Sequence, residues 1–320
     1  MKAIKLYALI LAFFLCSCAF NESFQEQTSP YTPTTTVQTE PTASVVDTSL
    51  PISEATLPST EQVTLPPALV QPEPDDEDFV DVKAYIPDII VELPYSTDNN
   101  FTKQKIYNFS DAWLRYGTVK KLMKVQEKLK QSNLYLKIWD GFRPPSAQFK
   151  LWEICPDPTY VSNPNKGFSS HSRGNTVDIT LVRKDGTEIT MPTGFDDFSK
   201  LADRDYSDCS NEAIANAMLL EDLMTKHGFK PYSGEWWHFS DNQSYPVEES
   251  FEPLDGIVCY ADCDEFISLR TNPSTSSEVI TKILVGEDFL VVARHGDFAL
   301  IEYRGLTGYV LEKYISPVSE

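Results

Sequence analysis

The chain has 320 residues and a formal net charge of −20, with 47 acidic against 27 basic side chains. A chain this acidic, carrying no basic stripe, is a poor partner for nucleic acid, and that class of function is excluded. Past an N-terminal stretch of low complexity, about 240 residues remain, enough for one medium domain and one small one.

At the N-terminus, Lys2 and Lys5 frame the start of an apolar run from Leu6 to Leu15. The run is too short to span a bilayer as a helix, so residues 1–17 read as an export signal. Cys18 follows the small Ser17 and fits the cysteine at which a lipoprotein leader is cut and acylated. Cys16 fits less well behind the bulky Leu15, and an ordinary signal with incidental cysteines is the alternative. Acyl chains contribute ~0.8 kcal/mol per buried methylene, so attachment at Cys18 would be stable. The expected location is therefore extracytoplasmic, with a lipid anchor in the cell membrane.

Residues 18–80 are rich in Thr, Pro, Ser and Glu, lack Lys and Arg, and end in the run Asp75, Asp76, Glu77, Asp78. Such a segment buries too little apolar surface to fold, and it reads as a disordered tether. Its reach is roughly 45 Å as a coil, or on the order of 190 Å if it stays extended. Export also permits disulfides, and four cysteines lie beyond the leader: Cys155, Cys209, Cys259 and Cys263. One pair per domain is the expectation; a four-thiolate zinc site competes, although no close CxxC pair supports it.

Residues 81–250 are expected to form an α+β domain. Val119, Leu122, Met123 and Leu129 recur at helical spacing, and Leu134, Leu136 and Ile138 then alternate with Tyr135, Lys137 and Trp139 as in a strand. A second strand is read at Val177, Ile179 and Leu181, with Asp178 and Thr180 on its other face. A helix from about Asn211 to Lys226 has Ser210 as N-cap and Gly228 as stop signal. Together these predict helices flanking a mainly antiparallel sheet. A domain break is placed in the Pro- and Glu-rich stretch from Pro246 to Pro253.

Two of the four histidines lie in dense polar and aromatic contexts, His171 in SSHSRGNTVD and His238 in GEWWHF. A zinc hydrolase needs three protein ligands, an open position and a base nearby. The helical HExxH pattern is absent, so such a site must be assembled from separate segments. Gly174 would let the backbone turn between His171 and the strand bearing Asp178. Glu235, three residues before His238, is then the candidate base, with Trp236 and Trp237 walling a dry pocket. Structural, hydrogen-bonded histidines are the competing reading. His227, before a helix-ending glycine, and His295, in a His-Gly-Asp turn, are read as structural.

The segments SSHSRGNTVDITL, GEWWHF and WDGFRPPSAQF together resemble the VanX-type D-alanyl-D-alanine dipeptidases, a branch of the zinc D,D-peptidases, from about Tyr95 to about Phe239. The resemblance implies one zinc ion held by His171, Asp178 and His238, Glu235 as general base, and Arg143 steadying the oxyanion. It further implies Ser169 near the substrate carboxylate, Asp196 near the substrate ammonium, and Tyr95 in the substrate pocket. Phe109 stands where the family often has a tyrosine. The implied substrate is D-Ala-D-Ala or a close peptidoglycan fragment. A D,D-carboxypeptidase on stem peptides and an inactive wall-binding lipoprotein are the alternatives, and the paired tryptophans favour the dipeptidase.

Residues 256–320 read as short strands with turn signals, a small all-β barrel. The Leu-Arg-Thr-Asn-Pro-Ser-Thr stretch and the Gly308, Tyr309, Val310 ending resemble bacterial SH3-like domains, with Asn272 in place of the usual glycine. The resemblance implies an adaptor that binds the cell wall.

Overall fold

The computed structural model describes residues 70–318. Cys18 and most of the stretch read as tether lie outside the described residues. No helix among the described residues is long and apolar enough to cross a membrane.

The end of that stretch belongs to the fold, contrary to the tether reading up to residue 80. Phe79 and Val80 are buried, and strand β1 (Phe79–Asp81) pairs with β3 (Trp113–Arg115) around the short helix α1 (Val82–Tyr85) and β2 (Ile90–Val91). The acidic run is anchored by cations and amides: Asp76 pairs with Lys120, and its carbonyl accepts from Gly117 N. Glu77 O accepts from Arg115 at 2.6 Å. Charge alone hid this, because the partners lie far along the chain.

Helix α2 (Tyr116–Lys130) buries Val119, Leu122 and Leu129, as expected from their spacing, and Val125 besides, while Met123 is only partly buried. It leads into β4 (Tyr135–Asp140), then α3 (Pro145–Ile154) and β5 (Thr176–Val182). Helix α4 (Asn211–Lys226) starts at Ser210, whose hydroxyl accepts from Ala213 N at 3.2 Å, and stops before Gly228 at φ +93°. Then come β6 (Phe229–Tyr232) and β7 (Glu235–Asp241). Five strands form one sheet in the order β2-β4-β5-β7-β6, antiparallel except for β2 against β4. Every residue of β4 and β5 is buried, so both faces of the sheet centre are covered rather than one. Lys137 is tolerated there because Glu92 and Glu188 receive its ammonium at 2.7 and 3.0 Å.

The C-terminal module comprises β8 (Phe251–Ala261), β9 (Phe266–Arg270), β10 (Val279–Leu284), β11 (Asp288–His295), β12 (Phe298–Tyr303), β13 (Leu306–Leu311) and β14 (Ile315–Pro317). They form a single antiparallel sheet ordered β10-β9-β13-β12-β11-β8-β14, with its own core of residues such as Ile267, Leu269, Ile283 and Ile301. Its first strand begins inside the stretch read as a linker. Phe251 is fully buried and stacks on Phe79 at 4.4 Å, so the small domain is joined to the larger one through apolar packing. A cavity of about 470 Å³ lies at this junction, lined by Glu73, Asp78, Asp81, Trp113, Glu302 and Tyr309 among others.

The junction also holds a polar cluster. Glu248 meets Arg115 at 3.4 Å and His295 at 3.5 Å, and accepts from Ser250 N and Oγ at 2.9 and 2.7 Å. His295 is thus structural, as expected, through a partner the turn pattern did not show. Burial pushes the Glu248 carboxyl up, but the bonds from His295 and Ser250 outweigh it and hold the group down at about 2. A carboxyl depressed in the folded state contributes stability above its unfolded pKa and loses it as pH falls through the folded one. Urea unfolding should therefore show the protein losing on the order of 2 kcal/mol from this group between about pH 5 and pH 2. Glu248→Gln should lose that stability at pH 7 and flatten the acid dependence.

All four described cysteines are free thiols, which corrects the expectation of one disulfide per domain. Cys155 ends α3, whereas Cys209 precedes α4 and directs its thiol to Leu201 O at 3.9 Å. In the small domain Cys259 is buried within β8, and Cys263 lies past that strand's end.

Candidate metal centre

The sheet register sets up the site. Asp140 in β4 is paired with Asp178 in β5, and Asp178 with His238 in β7. Directly opposed residues in adjacent strands project to the same face, so these three side chains share one cross-strand row. His171 reaches that row from a 3₁₀ turn, Ser170–Arg173, just before β5. The turn closes at Gly174, in the left-handed region at φ +73°, where a Cβ would sit 2.4 Å from the Phe79 ring. No side chain fits there, which explains why glycine occupies the bend between His171 and Asp178.

His171, Asp178 and His238 each offer a ligand atom within 4.8 Å of the others. Asp178 bridges the imidazoles, with Oδ2 3.4 Å from His171 Nε2 and Oδ1 2.9 Å from His238 Nδ1. The far nitrogen of His171, Nδ1, lies 2.8 Å from Gly141 O, which fixes that nitrogen as the N–H and leaves Nε2 as the lone-pair donor. His238 presents Nδ1 instead, its Nε2 facing Ser170 Oγ at 3.5 Å. Burial pushes the Asp178 carboxyl up, but His171 and His238 hold it below the usual carboxylate range. Burial pulls His171 down, and the charges of Asp178 and Asp140 more than reverse this. Two imidazoles and one ionised carboxylate, convergent, oriented by a backbone carbonyl and shielded from solvent, are a donor set that fits zinc with one position open.

Glu235 lies beside this triad without joining it, Oε2 being 3.6 Å from His238 Nδ1. Regular alternation along β7 would send Glu235 and His238 to opposite faces. The register between β6 and β7 breaks between Pro231 and Tyr232, and that irregularity brings Glu235 round to the site. Burial first, then the charge of Asp178, raises its carboxyl above the ordinary range. Trp236 and Trp237 are both about as buried as any core residue, at 1% exposure. Rather than facing the site they brace it: Trp236 Nε1 donates to Thr193 Oγ1 at 2.9 Å, and Trp237 packs on Phe195.

That bracing holds the loop bearing Asp196, whose backbone adopts φ +53°. Tyr95 donates its hydroxyl to Asp196 Oδ2 at 2.7 Å, so two residues that the same resemblance assigned to the substrate pocket meet. Burial pushes the Asp196 carboxyl up to about 7. The Arg143 guanidinium lies over the Tyr95 ring at 5.3 Å, so guanidinium and Asp196 are one tyrosine apart. Ser169 Oγ accepts from His171 N at 3.3 Å, capping the 3₁₀ turn, and its own O–H is uncommitted among the described residues. Phe109 is a packing residue, stacked on Tyr107 at 4.6 Å.

The sequence reading missed Asp140, Tyr107 and Gln148. Asp140 is fully buried and accepts from Tyr107 OH at 2.7 Å, from Gly141 N at 2.9 Å, and from Arg143 Nε and Nη2 at 3.1 and 2.5 Å. Gln148 Oε1 takes Arg143 Nη1 at 3.0 Å. The signal was present in WDGFRPPSAQF: a carboxylate three residues before a buried arginine needs that arginine as partner.

An α+β sheet bearing a His-Asp-His cluster with a neighbouring glutamate defines a metallopeptidase-type centre. The D-ala-D-ala dipeptidase model of the M15 peptidases matches residues 75–254, more than half of the chain, and the chain belongs to that family. A bacterial SH3 domain model matches residues 265–316. The chain is 37% identical over 175 residues to the D-alanyl-D-alanine dipeptidase of Escherichia coli (strain K12), covering 54% of this chain and 90% of that protein. It is 31% identical over 168 residues to the D-alanyl-D-alanine dipeptidase of Enterococcus faecium, covering 46% and 83%. Among solved structures, VanYB in complex with D-Alanine-D-Alanine aligns over 41% of this chain and 73% of its own, with 14% identity and a TM-score of 0.28, too slight a likeness to argue from.

Proposed function

We propose that this protein hydrolyses the D-alanyl-D-alanine dipeptide outside the cytoplasmic membrane, held there by a lipid on Cys18. The observation that carries the hydrolytic part is the convergence of His171, Asp178 and His238 with Glu235 beside that cluster but not part of it. Zinc, when bound, supplies Lewis acidity that acidifies water and draws electron density from the scissile carbonyl. Glu235 takes the proton from the attacking water and delivers it to the leaving amine, a task suited to a carboxylate whose pKa is raised. Arg143 donates to the oxygen that becomes negative on attack. At the amino end, Asp196 receives the ammonium, and Tyr95 holds that carboxylate in place. Ser169, with its free O–H, suits the substrate carboxylate at the other end. A pocket closed by charge at the amino end measures length and favours a free dipeptide over a longer chain. The SH3-like domain is proposed to hold the enzyme against wall peptide.

Purified protein with zinc, incubated separately with D-Ala-D-Ala and with a pentapeptide stem, tests this reading. Release of D-alanine from the dipeptide alone is the expected result; cleavage of the stem alone would instead identify a carboxypeptidase. The Asp196 carboxyl adds a pH signature. Only its ionised form attracts an ammonium, so KM should rise as pH falls through about 7 while kcat changes less. Asp196→Asn should give a high KM that no longer follows pH in this window, as measured by initial rates between pH 5.5 and 8.5.

A further inference from the structure

We infer that Asp140 is a positioning residue for catalysis, which together with Gln148 aims the Arg143 guanidinium at the reacting carbonyl. The inference rests on the proposed role of Arg143 and adds what makes that role possible. A guanidinium has five N–H donors in a fixed fork. Asp140 Oδ2 takes Nε–H, shared with Tyr107 OH at 3.3 Å, and one N–H of Nη2, and Gln148 Oε1 takes one N–H of Nη1. That leaves one N–H on each terminal nitrogen uncommitted among the described residues. Both holders are themselves held: Gln148 is fully buried and donates to Ser162 O at 2.7 Å, while Asp140 is pinned by Tyr107 OH and Gly141 N. Neither holder has freedom to follow the arginine, so the arginine follows them.

The same carboxylate ties the arginine to the metal row. Asp140 stands opposite Asp178 in the sheet, and the next residue, Gly141, presents its carbonyl to His171 Nδ1. The Gly141 carbonyl, in the peptide bond to Phe142, therefore orients a zinc ligand, while the side chain of the preceding residue, Asp140, orients the oxyanion donor. A fixed separation between the His171 imidazole and the guanidinium is what such an arrangement secures, and preorganised donors are the ones that stabilise a transition state.

The test is a double-mutant cycle in kcat combined with a signature that needs no metal. Arg143→Lys alone should lower kcat by about 100-fold, the usual scale for losing an oxyanion donor. Asp140→Asn should lower kcat by a similar factor with KM within about threefold, since the substrate's ends are held elsewhere. In the Arg143→Lys background, Asp140→Asn should cost little more; a further loss there would place its effect on His171, whose Nδ1 is 3.8 Å from Asp140 Oδ2, instead of on the guanidinium. In the metal-free protein, the Arg143 Nε–H resonance, assigned by its loss in Arg143→Lys, should be slow to exchange and should broaden in Asp140→Asn. Should Asp140→Asn fail to fold, Gln148→Met supplies the second variant, expected to lower kcat about tenfold and again non-additively with Arg143→Lys. Full additivity, or an unchanged Nε–H resonance, overturns the positioning role while leaving the hydrolase reading intact. Full activity in Arg143→Lys would instead overturn the oxyanion role on which it rests.

Discussion

Replacing Glu235 by glutamine should lower kcat on D-Ala-D-Ala by about 10²- to 10⁴-fold, the span expected for removing a general acid–base. Zinc content should stay at one ion per chain. The geometry separates these two outcomes. Glu235 lies 3.6 Å from His238 Nδ1 but outside the His-Asp-His triad, and its side chain is 35% exposed, so solvent can reach it. Glutamine keeps the size and an acceptor oxygen, and loses only the capacity to take a proton. KM should therefore change little. Steady-state kinetics paired with metal analysis of the same preparation checks the prediction; parallel loss of zinc and activity would make Glu235 a ligand instead. A raised carboxyl also predicts that the wild-type rate falls as pH drops through that group, and that the fall disappears in the residual activity of the variant.

How much of this centre was legible beforehand depended on the kind of order involved. Local order was readable: the apolar stripe of α2, the Ser210 cap and Gly228 stop of α4, and Gly174 between His171 and Asp178 all rest on rules that act within a few residues. The α+β class and the barrel-like module follow from the same periodicities. The register that aligns Asp140, Asp178 and His238 is not local, since it depends on which strands neighbour each other in the sheet. Motif resemblance supplied the ligand set where spacing alone left structural histidines open. It did not supply Asp140 or Gln148, whose importance shows only when the donors of a buried guanidinium are accounted for one by one. The acidic run at residues 75–78 misled for the opposite reason. Its composition is that of a solvated tether, yet Lys120, Gly117 and Arg115 satisfy it from a distance.

Asp178→Ala should abolish zinc binding at neutral pH and with it the activity. Altering an outer partner of a metal ligand already costs 10–100-fold in affinity, and removing a ligand itself should cost more than about 100-fold. The loss is amplified here because Asp178 is, among the described residues, the carboxylate in contact with both imidazoles, at 3.4 and 2.9 Å. Without it the nearest carboxylates, Asp140 at 3.8 Å from His171 and Glu235 at 3.6 Å from His238, each stand beside one imidazole only. Zinc at 100 times its Kd stabilises a folded protein by about 2.7 kcal/mol, so the wild type should show a zinc-dependent rise in Tm that the variant lacks. One competing outcome is informative. Glu235 is near enough to His238 to swing in as a substitute ligand, and the variant would then keep some zinc and some thermal shift. Activity would still be lost, because the carboxylate that had become a ligand could no longer act as the base. Measuring zinc content, Tm shift and turnover on one sample of Asp178→Ala, and on Asp178→Ala combined with Glu235→Gln, separates the two: only in the substitution case does the second change remove zinc that the first had left.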